Sequence, residues 1–149
     1  MVLVLQTYTA SNSGITLVTD EAVPFNINAV NTRCKVTHAA GTPTIEISQK
    51  GYYQITFSSF GYNTGAVVAG TDYSGTYTFQ LNNKAIPVVN AIGSASSASA
   101  TNVVNVGFST ILYIPPSCRA INNNAELTIN YLGQEGNVLY ANLSIVKIG

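Results

Sequence analysis

Two stretches of the chain alternate cleanly. Over 75–82, Tyr77, Phe79 and Leu81 fall on one side, and Thr76, Thr78 and Gln80 on the other. Over 125–132, Leu127, Ile129 and Tyr131 oppose Glu126, Thr128 and Asn130. A period of two belongs to the β-strand, and strict alternation belongs to a sheet with one dry and one wet face. Other stretches break this rule. The run "VLVL" at 2–5 is apolar on both sides. In "GYYQITFSSF" the inward set is Tyr53, Ile55 and Phe57, yet Tyr52 and Phe60 point the other way. In "VNVGFSTILYI" the inward set is Val106, Phe108, Leu112 and Ile114, opposed by Ile111 and Tyr113. In "GNVLYANLSIVKIG" the core face is Leu139, Ala141, Leu143 and Ile145, and the opposite face carries Val138, Tyr140, Val146 and Ile148.

These patterns predict an all-β chain. The expected strands are 2–9, 15–18, 22–25, 33–38, 43–48, 51–60, 75–82, 85–92, 103–114, 125–132 and 137–148. No segment of helical length carries apolar residues at i, i+3, i+4 and i+7. About ten strands in one small domain make a sandwich or a barrel. Asn82 and Asn83 mark a tight hairpin, because asparagine tolerates the positive φ that primed turns need. Gly133 and Gly136 mark another, and Pro115 with Pro116 ends a strand. Two longer connections, "GYNTGAVVAGTDYSG" (61–75) and "GSASSASATN" (93–102), lack core-forming side chains. Long loops of this kind are mobile or functional. With the strands running up and down in turn, both loops and the 133–136 turn emerge at one end.

The non-alternating strands raise one question: what covers their second face? The chain has no amphipathic helix to do it. An apolar patch of this breadth is unusual on a monomer, and the simplest cover is another copy of the chain. The expected interface residues are Val2 and Val4 of the first strand, Tyr52 and Phe60, Ile111 and Tyr113, and Val138, Tyr140, Val146 and Ile148 of the last. Tyrosine suits such a position, since it buries a ring and keeps a hydroxyl for hydrogen bonding. If each copy buried about 800 Å², half of it apolar, the gain would be roughly 10 kcal/mol per copy before association costs.

Composition sharpens this picture. Of 149 residues, 46% are hydrophobic and only 8% charged, and the net charge is zero. The polar surface must come from serine, threonine and asparagine. There is no basic run, so nucleic acid has no electrostatic footprint here. Near-zero charge gives little protection against self-association. No stretch approaches a membrane span, and the start "MVLVLQTYTASNSG" lacks the basic opening and long apolar core of a signal peptide. Synthesis in the cytoplasm is expected. Cys34 and Cys118 are too few for a disulfide framework. They read as small buried thiols, or as one bridge if their Cα atoms lie close enough.

Catalytic chemistry is sparse, and no enzyme activity, cofactor or metal is expected. The one histidine, His38, sits in a strand and reads as a structural residue. Asp20, Glu21, Glu46, Asp72, Glu126 and Glu135 are scattered, and no Cys/His cluster has zinc spacing. A calcium site at Asp72 is the weaker reading. "NLS" at 142–144 matches a glycosylation acceptor and reads as chance without a secretory route. The loops offer a different chemistry. Tyr62 and Tyr73 could stack on a sugar, with Asn63 and Asp72 hydrogen-bonding it.

The order of motifs resembles the tumour necrosis factor-like jelly roll, shared with the globular head of complement's first component. "AVPFN" (22–26), "GYYQITF" (51–57), "FQLNNKAIP" (79–87), a polar loop, "FSTILYIPPS" (108–117), "AELTINYLG" (125–133) and "ANLSIVKI" (141–148) follow that family's succession of strands. The resemblance spans nearly the whole chain. It implies a two-sheet antiparallel jelly-roll sandwich forming a homotrimer, packed through the sheet that holds the first and last strands. Where the family often has Gly-Asp after the strand matching 108–114, this chain has "PPSCR", so no metal or receptor role carries over there. Among proteins of this build the chain looks like small phage virion proteins: head fibres, decoration proteins or receptor-binding tips. Heads of bacterial spore-surface glycoproteins look similar but usually follow a collagen-like region. The resemblance therefore implies a structural virion protein whose partners are itself and other capsid or fibre proteins. The alternative is a glycan- or receptor-binding module, a phage tip or bacterial adhesin head that contacts a host-surface glycan. A cytokine-like ligand is a third reading, disfavoured by the low charge and the missing signal.

Overall fold

A computed structural model describes residues 1–32, 35–63, 73–95, 103–115, 124–133 and 136–149. Ten strands account for about three quarters of them: β1 (Val2–Leu17), β2 (Ile27–Asn31), β3 (Val36–His38), β4 (Ile45–Ile47), β5 (Gly51–Asn63), β6 (Tyr73–Leu81), β7 (Lys84–Ala95), β8 (Val103–Ile114), β9 (Ala125–Gly133) and β10 (Gly136–Lys147). They form two five-stranded sheets. One has the order β2-β1-β10-β5-β8, the other β3-β4-β9-β6-β7. Every pairing between these strands is antiparallel. The first and last strands lie side by side in the first sheet, as the motif order implied.

The core is the layer between the sheets. Leu5, Tyr53, Ile55, Phe57, Leu143 and Ile145 come from the first sheet; Val36, Ile45, Phe79, Leu127 and Ile129 come from the second. All are fully buried. The inward sets read from β5, β9 and β10 are therefore the core where the structure describes them. Four aromatic rings knit the middle. Phe57 packs 5.0 Å from Tyr77 and 6.1 Å from Phe79, and Phe79 meets Phe108 edge-on at 5.3 Å. The hydroxyl of Tyr53 donates to the Gln49 carbonyl at 2.7 Å, so the buried ring leaves no orphaned group.

The turns follow their chemistry. Asn82 and Asn83 both have positive φ, 52° and 62°, and join β6 to β7 in a two-residue loop. Asn82 also ties that turn to β9: its N–H donates to the Glu126 carbonyl and its Oδ1 accepts from the Glu126 N–H. At the same end of the sandwich Gly51 has a φ of 142°, and a Cβ there would run into the Gly149 carbonyl. That carbonyl accepts from the Tyr52 N–H at 3.1 Å, which pins the end of the chain to the start of β5.

Several boundaries differ from the expectation. The two segments 2–9 and 15–18 belong to one strand, which bulges between Ala10, paired with Tyr140, and Ile15, paired with Val138. Residues 22–25 make only isolated bridges, Ala22 to Asn130 and Phe25 to Thr42. The strand 27–31 was not anticipated. Thr78, expected in water, is buried. Cys34 and Cys118 lie outside the described residues.

Val4 corrects an expected interface residue. It was placed on the outward side with Val2, and it is 2% exposed, in the core. The register slips between Leu3 and Leu5 against β10, so Val4 and Leu5 both turn inward. An extra residue in one strand of a pair does this to the strict period of two.

Candidate functional site

The outward side of the β2-β1-β10-β5-β8 sheet is the candidate site. Its register defines rows across the sheet. At one end Tyr52 pairs with Tyr113, and their rings lie 4.9 Å apart. Next to them Leu3, Val146, Gln54 and Ile111 form one row. Ile111 is 62% exposed, Tyr52 52% and Tyr113 48%. Toward the other end Ala10, Tyr140 and Phe60 form a row, with the ring of Tyr8 6.3 Å from that of Tyr140. Tyr140 and Phe60 are also exposed. Val146 and Ile148 are half-buried, and Val2 is 62% exposed.

The structure thus gathers Val2, Tyr52, Phe60, Ile111, Tyr113, Tyr140, Val146 and Ile148 on or beside one sheet. Val4 alone of the expected set turns inward. Val138 is placed by its backbone, opposite Ile15 on β1 and Gly61 on β5; its side chain lies outside the described residues.

Sequence reading missed the middle of this face. Gln6, Ser144, Thr56 and Ser109 form a row with no apolar member. The next row runs Tyr8, Asn142, Ser58 and Gly107. Thr56 and Ser109 hydroxyls share a hydrogen bond at 3.0 Å, and the Gln54 amide reaches Ser109 Oγ at 3.5 Å. The Oδ1 of Asn142 is buried without a partner. The signal was present in "QITFSSF" and "GFSTILYI", where Thr56, Ser58 and Ser109 share the outward parity with the aromatic residues.

The edges of the two sheets are not alike. The β2 edge is five residues long and opposes a register shift, and the β3 edge has three residues. The β7 edge carries Lys84 and Pro87. Short length, bulges, lysine and proline all blunt an edge against further pairing. β8 has none of these. It is twelve residues long, contains no charge and no proline, and pairs with β5 without a shift.

The loop candidates are only partly placed. Asn63 pairs with Gly136, Tyr62 with Val103, Tyr73 with Ala95 and Gly75 with Gly133. The strand ends that carry the three connections therefore meet at one end of the sandwich. Asp72 lies outside the described residues, as do the side chains of Tyr62, Asn63 and Tyr73.

His38 is buried and structural in its contacts. Its Nε2 lies 2.8 Å from the Thr42 carbonyl and its Nδ1 2.6 Å from Asn28 Oδ1. Asn28 and Asn31 donate their side-chain amides to the His38 carbonyl. The residue thus ties β3 to β2 across the open edge between the sheets. Burial lowers the pKa of the imidazole, and the Thr42 carbonyl opposes that by favouring a proton on Nε2. Glu46 and Glu126 face each other on β4 and β9 beside it, lining a depression of about 620 Å³ with Thr37 and Thr44. Replacing His38 by alanine removes its part-buried contacts to Asn28 Oδ1 and the Thr42 carbonyl, of which the latter keeps the Phe25 N–H. A loss of about 1–3 kcal/mol is expected, read as a lower midpoint in thermal unfolding.

Ten strands in these two orders, with the first and last paired in one sheet, match solved structures along the full chain. The Eiger TNF of S. frugiperda aligns with 100% of this chain and 94% of its own length, at a TM-score of 0.71 and 9% identity. The globular domain of zebrafish complement 1qA aligns over 100% and 98% at 0.65 and 10% identity. The chain has a jelly-roll fold like that of these tumour necrosis factor and C1q domains. Murine APRIL aligns over 98% of both chains, at 0.59 and 10% identity. At such identities the likeness is one of jelly-roll architecture, and function must be argued from the site. No protein-family model matches the chain, and no curated protein matches it in sequence.

Proposed function

We propose that this chain is a structural, non-enzymatic protein that works as a homotrimer, and that it serves as a head-fibre or decoration subunit of a phage virion. The observation that carries the homotrimer is the outward face of the β2-β1-β10-β5-β8 sheet. Large apolar side chains stand exposed at both of its ends, beside an uncharged β8 edge. Exposed apolar patches of this kind mark interaction sites. With almost no charge on the face, no charged partner is selected, and an identical copy is the partner the surface fits. The virion setting is supported by the motif order and by a surface built from serine, threonine and asparagine in place of charge. His38, the chain's one histidine, is occupied with holding two strands together, which favours a structural reading.

Sedimentation of the purified protein at micromolar concentration tests the assembly. A single species of three times the chain mass is expected, and a stable monomer would overturn the reading. Co-purification of the chain with intact phage particles through a density gradient tests the setting. Recovery only in the unassembled fraction would overturn that part.

A further inference from the structure

The sheet face is striped. Each end is apolar, and a belt two rows deep crosses the middle. One row of the belt has Gln6, Ser144, Thr56 and Ser109; the other has Asn142 and Ser58 at its centre, flanked by Tyr8 and Gly107. Same-face rows of a strand lie about 7 Å apart. In the single chain Thr56 and Ser109 are exposed and Ser58 and Ser144 half-buried, and part of their hydrogen-bonding capacity is met internally by the bond between Thr56 and Ser109. Covering the face removes water from all of them. A buried hydroxyl without a partner costs free energy comparable to a lost hydrogen bond.

This arrangement discriminates between packings. Copies related by an axis running along the strands meet row against identical row. The belt then faces the belts of its neighbours, hydroxyl to hydroxyl, and apolar ends face apolar ends. A slip of one row sets the Ile111 and Val146 row of one copy against Thr56 and Ser109 of the next. Each slipped contact strands a hydroxyl against hydrocarbon. An entirely apolar face has no such preference, since hydrophobic attraction is non-directional. Single polar positions inside an apolar interface fix register in this way at some cost in stability.

We propose that the Thr56–Ser109 belt sets the axial register of the assembled chains, excluding packings slipped along the strands. This rests on the homotrimer reading above. The occupant of the face is a second copy of the chain, and the belt decides at what height it sits.

The test mixes two forms of the chain, each with Cys34 and Cys118 replaced by serine. One carries a spin label on Glu46→Cys, the other a different spin label on Val18→Cys, near the opposite end of the sandwich. Distances between unlike labels are read by pulsed electron resonance, and because these vectors run largely along the strands an axial slip changes them directly. With the belt intact, a fixed and narrow set of distances is expected. With Thr56→Val and Ser109→Val added, further distances are expected, from copies displaced along the axis by about 7 Å, one row. An unchanged set in the belt variant would overturn the proposal and leave the homotrimer standing. No distance between unlike labels in the parent would overturn both. The unlabelled Thr56→Val, Ser109→Val chain, with its native cysteines, gives an independent readout. Its assembly is expected to melt no lower than the native one while migrating as several species in native electrophoresis. A single species of native mobility would count against the belt.

Discussion

Replacing Ile111 by glutamate is expected to give a folded monomer. The side chain projects from the last third of β8 and is 62% exposed in the single chain, so the substitution removes nothing from the core. Its neighbours across the sheet are Gln54 and then Val146, with no cation among them. In the assembly a carboxylate at this position loses its water and gains no partner. It also stands at the same height as its symmetry mates, which carry the same charge. Leaving a charge buried and unpaired costs about 3–5 kcal/mol, and each 1.4 kcal/mol is a tenfold change in association. Loss of assembly by roughly a thousandfold or more in concentration is the expected result. Sedimentation reads the mass, and circular dichroism of the same sample reads the retained strands. Tyr140→Glu, at the other end of the face, should act alike. If both variants assemble as the native chain does, the face is not the interface.

How far the sequence revealed this arrangement depends on which force set each element. Where burial alone decides, the pattern was readable. Leu127, Ile129 and Tyr131 sit in the core and Glu126 in water, as strict alternation requires. The broken alternation of β5, β8 and β10 marked the face with Tyr52, Ile111, Tyr113 and Tyr140 before any coordinates. Asn82 and Asn83 took the positive φ that their place between two strands demanded. What escaped notice was set by tertiary partners. Residues 11–14 have weak strand propensity, and β1 spans them as a bulge between two stretches that β10 holds, Ala10 against Tyr140 and Ile15 against Val138. β2 is short and half polar, and exists as a strand because β1 pairs with it. The inward turn of Val4 comes from a register slip that local periodicity cannot show. The belt escaped for a different reason. Along any single strand its polar residues are ordinary solvent-facing positions, and they make a belt only when Gln6, Ser144, Thr56 and Ser109 are aligned across four strands.

Truncating Phe57 to alanine is expected to be the most damaging change inside the sandwich. Phe57 is fully buried at the centre of β5, paired with Leu143 on one side and Phe108 on the other. Its ring meets Tyr77 and Phe79 of the facing sheet, and through them Tyr131 and Phe108. With Phe108, which meets Phe79, it joins the two sheets through one aromatic layer, and among the described rings of β5 and β8 it alone touches both Tyr77 and Phe79. The surrounding side chains hang from two hydrogen-bonded sheets and cannot collapse into the gap. Losing the ring therefore costs its transfer energy and leaves most of the cavity open. Such substitutions cost about 3–5 kcal/mol, against a total of about 5–15 kcal/mol for a domain. A fall of about 10–15 °C in the thermal midpoint is expected for a chain of this length. Phe57→Leu, which keeps most of the volume, should lose no more than a third of that. The contrast with Ile111→Glu separates the two sides of the same sheet. One variant should lose stability throughout, with a lower denaturant midpoint even when dilute. The other should lose only its partners, with the unfolding of the dilute single chain nearly unchanged. If Phe57→Ala melts within a few degrees of the native chain, the aromatic layer is not what joins the sheets.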